Sequence, residues 1–317
     1  MLSLCHFFPR KFIRCCLLLL VITLFPYSHF PHEGHGFNAT QYCNCVVFRL
    51  DDIPYDDPGV YDQSSRINID LAIMNVFIAK NQSVSLALVM HLIDLHPILL
   101  KNVLDGYKKG MFELALHGWD HVDYSNLSEM KQENSLLKAN KKMEYLFGNP
   151  SSIFIPPFFS YNNNTLDAMK RLGIKIISAS HGSDTGYYEY FLPNKTKNTD
   201  QIYHLPQSAS FETFQGEIPV RTPIKQILKD VDSNIAKYGY AIITMHPQSF
   251  MKFKKGLEND KNAFSEYRDI LAGKEALDTH QIHRLEVLID KLLSKDIHTT
   301  SFSKLVGIDR NLTYYNR

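Results

Sequence analysis

Cysteine is scarce in this 317-residue chain. Cys5, Cys15 and Cys16 lie in or next to an N-terminal apolar segment, which leaves Cys43 and Cys45 for everything else. So few thiols cannot staple a small secreted fold, and the disulfide-scaffold class is excluded. A C-x-C pair is too close for a relaxed disulfide and too small a set for a zinc cluster, so both are expected as unpaired strand cysteines. Charge of one sign is also missing: 34 Lys and Arg stand against 33 Asp and Glu, a net charge of +1. No basic block gathers on one element, so there is no electrostatic footprint for nucleic acid. A run long enough to span a bilayer is absent too. The apolar stretch Cys15–Phe25 ends at Pro26, well short of the ~20 residues a spanning helix needs. No internal repeat is present, and no Gly-rich phosphate loop follows the first apolar strand pattern.

What is there is an ordinary globular composition, 44% apolar and 21% charged, enough for a sizeable core. Arg10, Lys11 and Arg14 precede the apolar run, so residues 1–36 are expected to be a signal peptide, with a retained signal anchor as the alternative. No A-x-A site follows; Gly34-His35-Gly36 is the best cleavage candidate. The chain is therefore expected to be secreted or to lie in the secretory lumen, touching membrane only through an uncleaved anchor. Sequons at Asn38, Asn81, Asn126, Asn163, Asn194 and Asn311 fit that route.

From residue 43 to 306 the chain alternates strand-like and helix-like patterns, with 307–317 left as a tail. Strands are expected at 46–52, 83–90, 112–117, 152–156, 174–179, 202–205, 240–246 and 297–302, rich in β-branched and aromatic residues. Helical stripes run through 66–79, 128–146 and 279–294, the last through Ile282, Leu285, Leu288, Ile289 and Leu292. Residues 247–278 are polar and charge-mixed and suggest a loop excursion. This alternation predicts an α/β fold: a distorted or incomplete (β/α) barrel of seven to eight units in a single domain. An open doubly wound sheet is the alternative.

Four features could carry chemistry. Asp51-Asp52 closes the strand VVFRLDD, and neighbouring carboxylates ionise together only when a cation compensates them; a solvated turn or helix cap is the bland alternative. His117 and His121 form H-x-x-x-H on a turn opened by Gly118, a spacing that lets two imidazoles reach one ion. The strand 153–155 stops at Pro156-Pro157, a rigid exit that could also aim a backbone N–H at an oxyanion. His246 ends the strand YAIITMH, where a structural histidine is the commoner case. Each feature is weak alone, but all fall at C-terminal ends of different predicted strands, the face on which barrel active sites are built.

In order and spacing these motifs resemble the polysaccharide deacetylase family, the NodB-homology group of carbohydrate esterases, over roughly residues 43–305. FRLDD is similar to the family's first motif, HGWDH to its second, FIPPF to its third and ITMHPQ to its last; the full forms are closest to a divergent branch. The resemblance implies Asp51 as catalytic base and Asp52, His117 and His121 as ligands of one divalent ion, Zn²⁺ first and Co²⁺ as the alternative. It implies His246 as the acid and the Phe158 N–H as oxyanion donor, with Pro157, Trp119, Tyr161 and Asn162 along the substrate groove. Packing is the alternative for the aromatic residues.

Two departures stand out. Ile155 takes the place of the family's base-orienting arginine, and Arg49, on the same strand face as Asp51, is the expected substitute. The family's fourth motif has no clear counterpart; Asp184 is the nearest residue. The sequon at Asn163 lies beside the third motif and is expected to stay unmodified. The function implied is metal-dependent N-deacetylation of amino-sugar glycans of the chitin or peptidoglycan kind. The alternatives are a glycan-binding protein without turnover, or an amidase for a non-carbohydrate substrate.

Overall fold

The computed structural model describes residues 43–54, 63–180, 189–190, 202–215, 218–252 and 277–307, all within one compact unit, Thr40–Arg317. The expected N-terminal signal segment, the sequons at Asn38, Asn194 and Asn311, Asp184, residues 253–276 of the expected excursion and the tail beyond 307 lie outside the described residues. Among those described, no helix is long and apolar enough to cross a membrane.

The first strand, β1 (Cys45–Ile53), is buried along its whole length. A strand covered on both faces needs a near-continuous apolar run, and CVVFRLDDI supplies one through Phe48, before Arg49 and the two aspartates interrupt it. In chain order there follow α1 (Gln63–Lys80), β2 (Val84–Leu88), α2 (Pro97–Lys108), β3 (Phe112–Leu116), α3 (Glu129–Phe147), β4 (Ile153–Phe154) and α4 (Asn163–Arg171). Next come β5 (Ile176–Ile177), β6 (Glu189–Tyr190), β7 (Tyr203–His204), β8 (Ala209–Ser210), β9 (Glu212–Gln215), β10 (Ile218–Arg221) and α5 (Ile224–Tyr238). The last are β11 (Tyr240–Met245), α6 (Thr279–Leu293), β12 (His298–Thr299) and α7 (Phe302–Val306).

The main sheet runs β6-β7-β5-β4-β3-β2-β1-β11-β8, with β12 beside the start of β1, and β9 and β10 form a separate antiparallel hairpin. All pairings in the main sheet are parallel. The sheet curls without closing, because β6 and β8 stay edges among the described residues. It is the distorted, incomplete (β/α) barrel that the strand–helix alternation predicts.

Alternation splits the core in two. Val46, Phe48 and Leu50 face the helix layer with Ile73 and Phe77 of α1 and Leu285 and Leu288 of α6. Cys45, Val47, Ala87, Ala115, Ile153, Ile155 and Ile242 fill the inner face, with Phe302 and Val306 of α7 packed among them. Period two then carries the inner ladders upward: Val47 to Arg49 and Asp51 on β1, Ala115 to His117 past β3, Ile242 to Thr244 and His246 past β11. The functional candidates are thus the topmost members of the inner ladders.

The strands at β4, β5, β7 and β12 are shorter than the patterns suggest. Helices α2, α4 and α5 form where no stripe was assigned. The expectation of unpaired cysteines is overturned, since Cys43 and Cys45 form a disulfide. Asn44 between them takes a left-handed φ of 43°, which folds the backbone and brings the Cα atoms to 5.1 Å.

Candidate metal centre

Neighbouring residues on a strand point to opposite faces, so Asp51 and Asp52 could not both serve one site on a regular β1. The pairing with β2 shows how they do. Leu50 pairs with Leu86 and Ile53 with Leu88, so three steps on β1 oppose two on β2. The extra residue is a bulge. Asp52 sits in it with a left-handed φ of 61°, an uncommon conformation for a side-chain-bearing residue. The bulge bends the chain where the two carboxylates sit.

His117 follows β3 directly, and its N–H donates to Leu88 O at 2.8 Å. Gly118, with φ +92°, turns the chain; a Cβ there would lie 2.7 Å from the Tyr124 hydroxyl and 2.8 Å from Asp120 O. That turn returns His121 to the side of His117, ring centroids 5.1 Å apart. Both Nε2 atoms meet one oxygen, Asp52 Oδ1, at 2.9 Å from His117 and 3.0 Å from His121. The three donor atoms lie within 4.8 Å of one another.

The donor set fits a divalent cation. His117 Nδ1–H donates to Ile155 O at 2.6 Å, which fixes the ring with Nε2 towards the carboxylate, where a bound ion would take the place of a proton. A cation between a carboxylate oxygen and two such nitrogens satisfies all three. Burial pushes the Asp52 carboxyl up, yet hydrogen bonds from His117 and His121, with the charges of His121 and His246, outweigh it and hold it well below its usual range. Asp52 is therefore an anion and can only accept hydrogen bonds. Its Oδ2 accepts from Gln248 Nε2 at 3.1 Å.

Asp51 is 1% exposed, and its Oδ2 takes a 2.7 Å ion pair from the fully buried Arg49 Nη2. Arg49 Nη1 donates to Ser178 Oγ at 2.8 Å and to Ser178 O at 3.0 Å, and the guanidinium lies 5.0 Å from the centre of the Phe159 ring. His246 stands across from the pair, its Nε2 3.8 Å from Asp51 Oδ2. Its Nδ1–H donates to Glu212 Oε1 at 2.6 Å. Burial pushes the His246 imidazole down, but the hydrogen bond to Glu212 and the charges of Glu212, Asp52 and Asp51 outweigh it and raise the pKa to about 9.

Glu212 was missed in the sequence. It sits 34 residues before His246, beyond a two-residue strand with no apolar run. Only register reveals it: Ser210 of β8 pairs with Thr244 of β11, so two residues further on Glu212 and His246 stand level. Gln248 lies in the last motif, ITMHPQ, which assigns it no role. Its sole signal was its place two residues after His246.

The third motif splits. Pro157–Phe159 forms a tight turn in which Phe158 and Phe159 adopt left-handed φ values of 56° and 55°. Phe159 N–H and Ser160 N–H donate back to Pro156 O and Pro157 O, whereas the N–H of Phe158 stands in the first part of the turn, where no internal acceptor exists. The Phe158 ring is 65% exposed and packs edge-on against His121 at 4.6 Å. The other expected groove residues also make structural contacts. Pro157 is buried. Tyr161 is in the core beside His204. Asn162 caps α4 in a reciprocal pair with Thr165. The Trp119 ring packs on the core, with the Lys138 ammonium 3.7 Å from its centre.

Comparison with known proteins sets this geometry in context. Residues 44–177 match the sequence model of the family described as Polysaccharide deacetylase, a span that holds Asp51, Asp52, His117 and His121. The motif resemblance to that family is thereby shown over these residues. No curated protein matches the chain in sequence. Among solved structures, a CE4 family pseudoenzyme from Bacillus anthracis aligns with a TM-score of 0.50 at 12% identity, over 83% of this chain and 65% of that one. This chain thus spans less than two thirds of that protein's length. A peptidoglycan N-acetylglucosamine deacetylase, solved with a hydroxamate-type benzamide, aligns with a TM-score of 0.50 at 12% identity, over 83% of this chain and 87% of that one. At such identities the likeness establishes the fold.

Proposed function

We propose that this chain, whose residues 44–177 match the polysaccharide deacetylase family, is a metal-dependent hydrolase that removes N-acetyl groups from amino-sugar glycans. One observation carries the reading: Asp52, His117 and His121 converge on one point, with Asp51 and His246 beside them on two other inner ladders. A divalent ion held by those three residues, Zn²⁺ first and Co²⁺ as the alternative, would polarise the acetamide carbonyl and make water acidic enough to attack near neutral pH.

The chain's own groups supply the proton transfers. Asp51 is held by Arg49 through Oδ2, and its Oδ1 has no hydrogen-bond partner among the described residues, so it can take the proton of the attacking water. His246, whose proton Glu212 holds, is the group that gives a proton to the leaving amine, because expulsion of an amide anion would be prohibitive. Glu212 holds the imidazole with its Nε2 towards Asp51. The Phe158 N–H is the oxyanion donor and its exposed ring a platform for a sugar face. Water is consumed, the C–N bond breaks, and acetate and a free amino sugar leave.

Binding without turnover is the second reading, and Ile155 at the arginine position favours it. Arg49 answers that departure, since it reaches Asp51 from the same strand. Secretion or residence in the secretory lumen belongs to the same proposal; the Cys43–Cys45 disulfide supports an oxidising compartment. The test is acetate release from chitin and peptidoglycan oligosaccharides with Zn²⁺ or Co²⁺, beside a panel of simple N-acetyl amides. Release from glycans that Asp51→Asn abolishes while metal stays bound supports the proposal. Glycan binding without acetate establishes the second reading, and preference for simple amides makes the chain an amidase.

A further inference from the structure

Asp52 offers two oxygens, and the structure uses them differently. Oδ1 is shared by His117 and His121, while Oδ2 accepts a single hydrogen bond from Gln248 Nε2 at 3.1 Å. The donor end of the amide must face Asp52, because a carboxylate only accepts. Gln248 lies 196 residues away in sequence, in the turn Pro247–Phe250 that follows His246. Its other end is anomalous: Oε1 is buried and has no hydrogen-bond partner among the described residues. An unmatched buried carbonyl is unfavourable, and a side chain placed only to fill space would do better as Met or Leu. The amide is kept for what its N–H does.

We infer that Gln248 is a positioning residue: it occupies Asp52 Oδ2, presents Oδ1 alone towards the two imidazoles, and ties the acid-bearing turn of His246 to the metal ligand. Asp52 needs such a hold because its backbone is in a left-handed bulge, where no regular strand neighbour fixes the side chain. Hydrogen bonds to ligating carboxylates orient them, and their loss typically weakens metal binding about 10–100-fold. The proposal rests on the metal-site reading above and adds a residue to it.

The test titrates the full chain with Zn²⁺ against a chromophoric chelator, in parallel with the Gln248→Met variant, which keeps length and loses the donor. Thermal melting of both metal-free proteins reports the fold. The expected result is affinity about 10–100-fold weaker in Gln248→Met, with melting unchanged or raised. Equal affinity in a folded variant overturns the inference and leaves the metal site standing. A parent chain that takes up no metal overturns the site reading itself. Should Gln248→Met fail to fold, Gln248→Leu is read the same way. Loss of fold in both overturns the inference, because the side chain would then be supporting the turn rather than the carboxylate.

Discussion

His246 and Glu212 stand level on adjoining chain segments, joined by a 2.6 Å hydrogen bond from Nδ1–H to a carboxylate that is 1% exposed. The partnership raises the imidazole to about 9 from its ordinary 6.5. A raised folded value means that the pair's contribution to stability is complete below pH 6.5 and is lost as pH climbs through about 9. On the proposed mechanism, this partnership is what keeps a proton donor for the leaving amine in the neutral range.

Glu212→Gln removes the charge that holds this proton. The imidazole then falls back, and the alkaline limb of the kcat/KM profile should move to lower pH. At pH 8 the loss should be roughly 10-fold or more, against a small loss at pH 6. A pH–rate profile of acetate release decides it; an unmoved alkaline limb would detach Glu212 from the acid.

Arg49→Met tests the substitute for the missing arginine. Arg49 and Asp51 are both buried, so removing the cation strands a carboxylate. Breaking such a pair costs about 3–5 kcal/mol of stability, and misplacing the base should cost on the order of 10²-fold in kcat. Arg49→Lys, which has one donor nitrogen in place of the two that bond Ser178 and Asp51, should keep the charge and recover only part of kcat. Unchanged activity in Arg49→Met would reject the role. Denaturant melts and acetate assays on the three proteins separate the effects.

Part of the candidate site was legible in the sequence for a physical reason. Asp52, His117 and His246 end strands whose apolar runs are easy to see, and a parallel barrel brings such ends to one face. Arg49 was legible because Ile155 stands where the resemblance implies an arginine and period two puts Arg49 on the face of Asp51. Glu212 and Gln248 were not, because each acts across a register or a turn that no local pattern encodes. The helices divide likewise: α6 shows a clean apolar stripe, whereas α4 is short and polar and depends on the Asn162 cap and its packing on α3. The Cys43–Cys45 disulfide was misjudged because an extended strand was assumed, and Asn44 leaves that conformation. Tyr161 and Asn162 adjoin the third motif in sequence, and their contacts to the core and to α4 were not legible there.

Gly118→Ala should injure the metal site from a residue that touches no ligand atom. Its φ of +92° disfavours a side chain, and the added methyl would meet Tyr124 and Asp120 O. The turn that swings His121 back beside His117 must open. Expected are a stability loss of about 1–3 kcal/mol and a fall in Zn²⁺ affinity of at least 10-fold. Metal titration with the same chelator competition reads it; full affinity would show that the turn tolerates another path.

Glu113 is the counterweight, because it stands at the other end of the strand that leads to His117. Its carboxylate accepts from Phe302 N at 2.7 Å, Ser303 N at 2.9 Å and Ser85 Oγ at 2.7 Å, fastening α7 to the inner face of the barrel. Glu113→Ala leaves two buried N–H groups without an acceptor and should cost about 2–5 kcal/mol. Because conservation of form at the strand's far end depends on the β-ladder and not on α7, the folded fraction should bind Zn²⁺ as tightly as the parent. Gly118→Ala should show the reverse balance, a modest loss of stability with a large loss of affinity. Melting temperatures and metal titrations on the two variants test both halves. Equal loss of affinity in both would mean that the floor of the barrel, as well as its mouth, sets the geometry of the ligands.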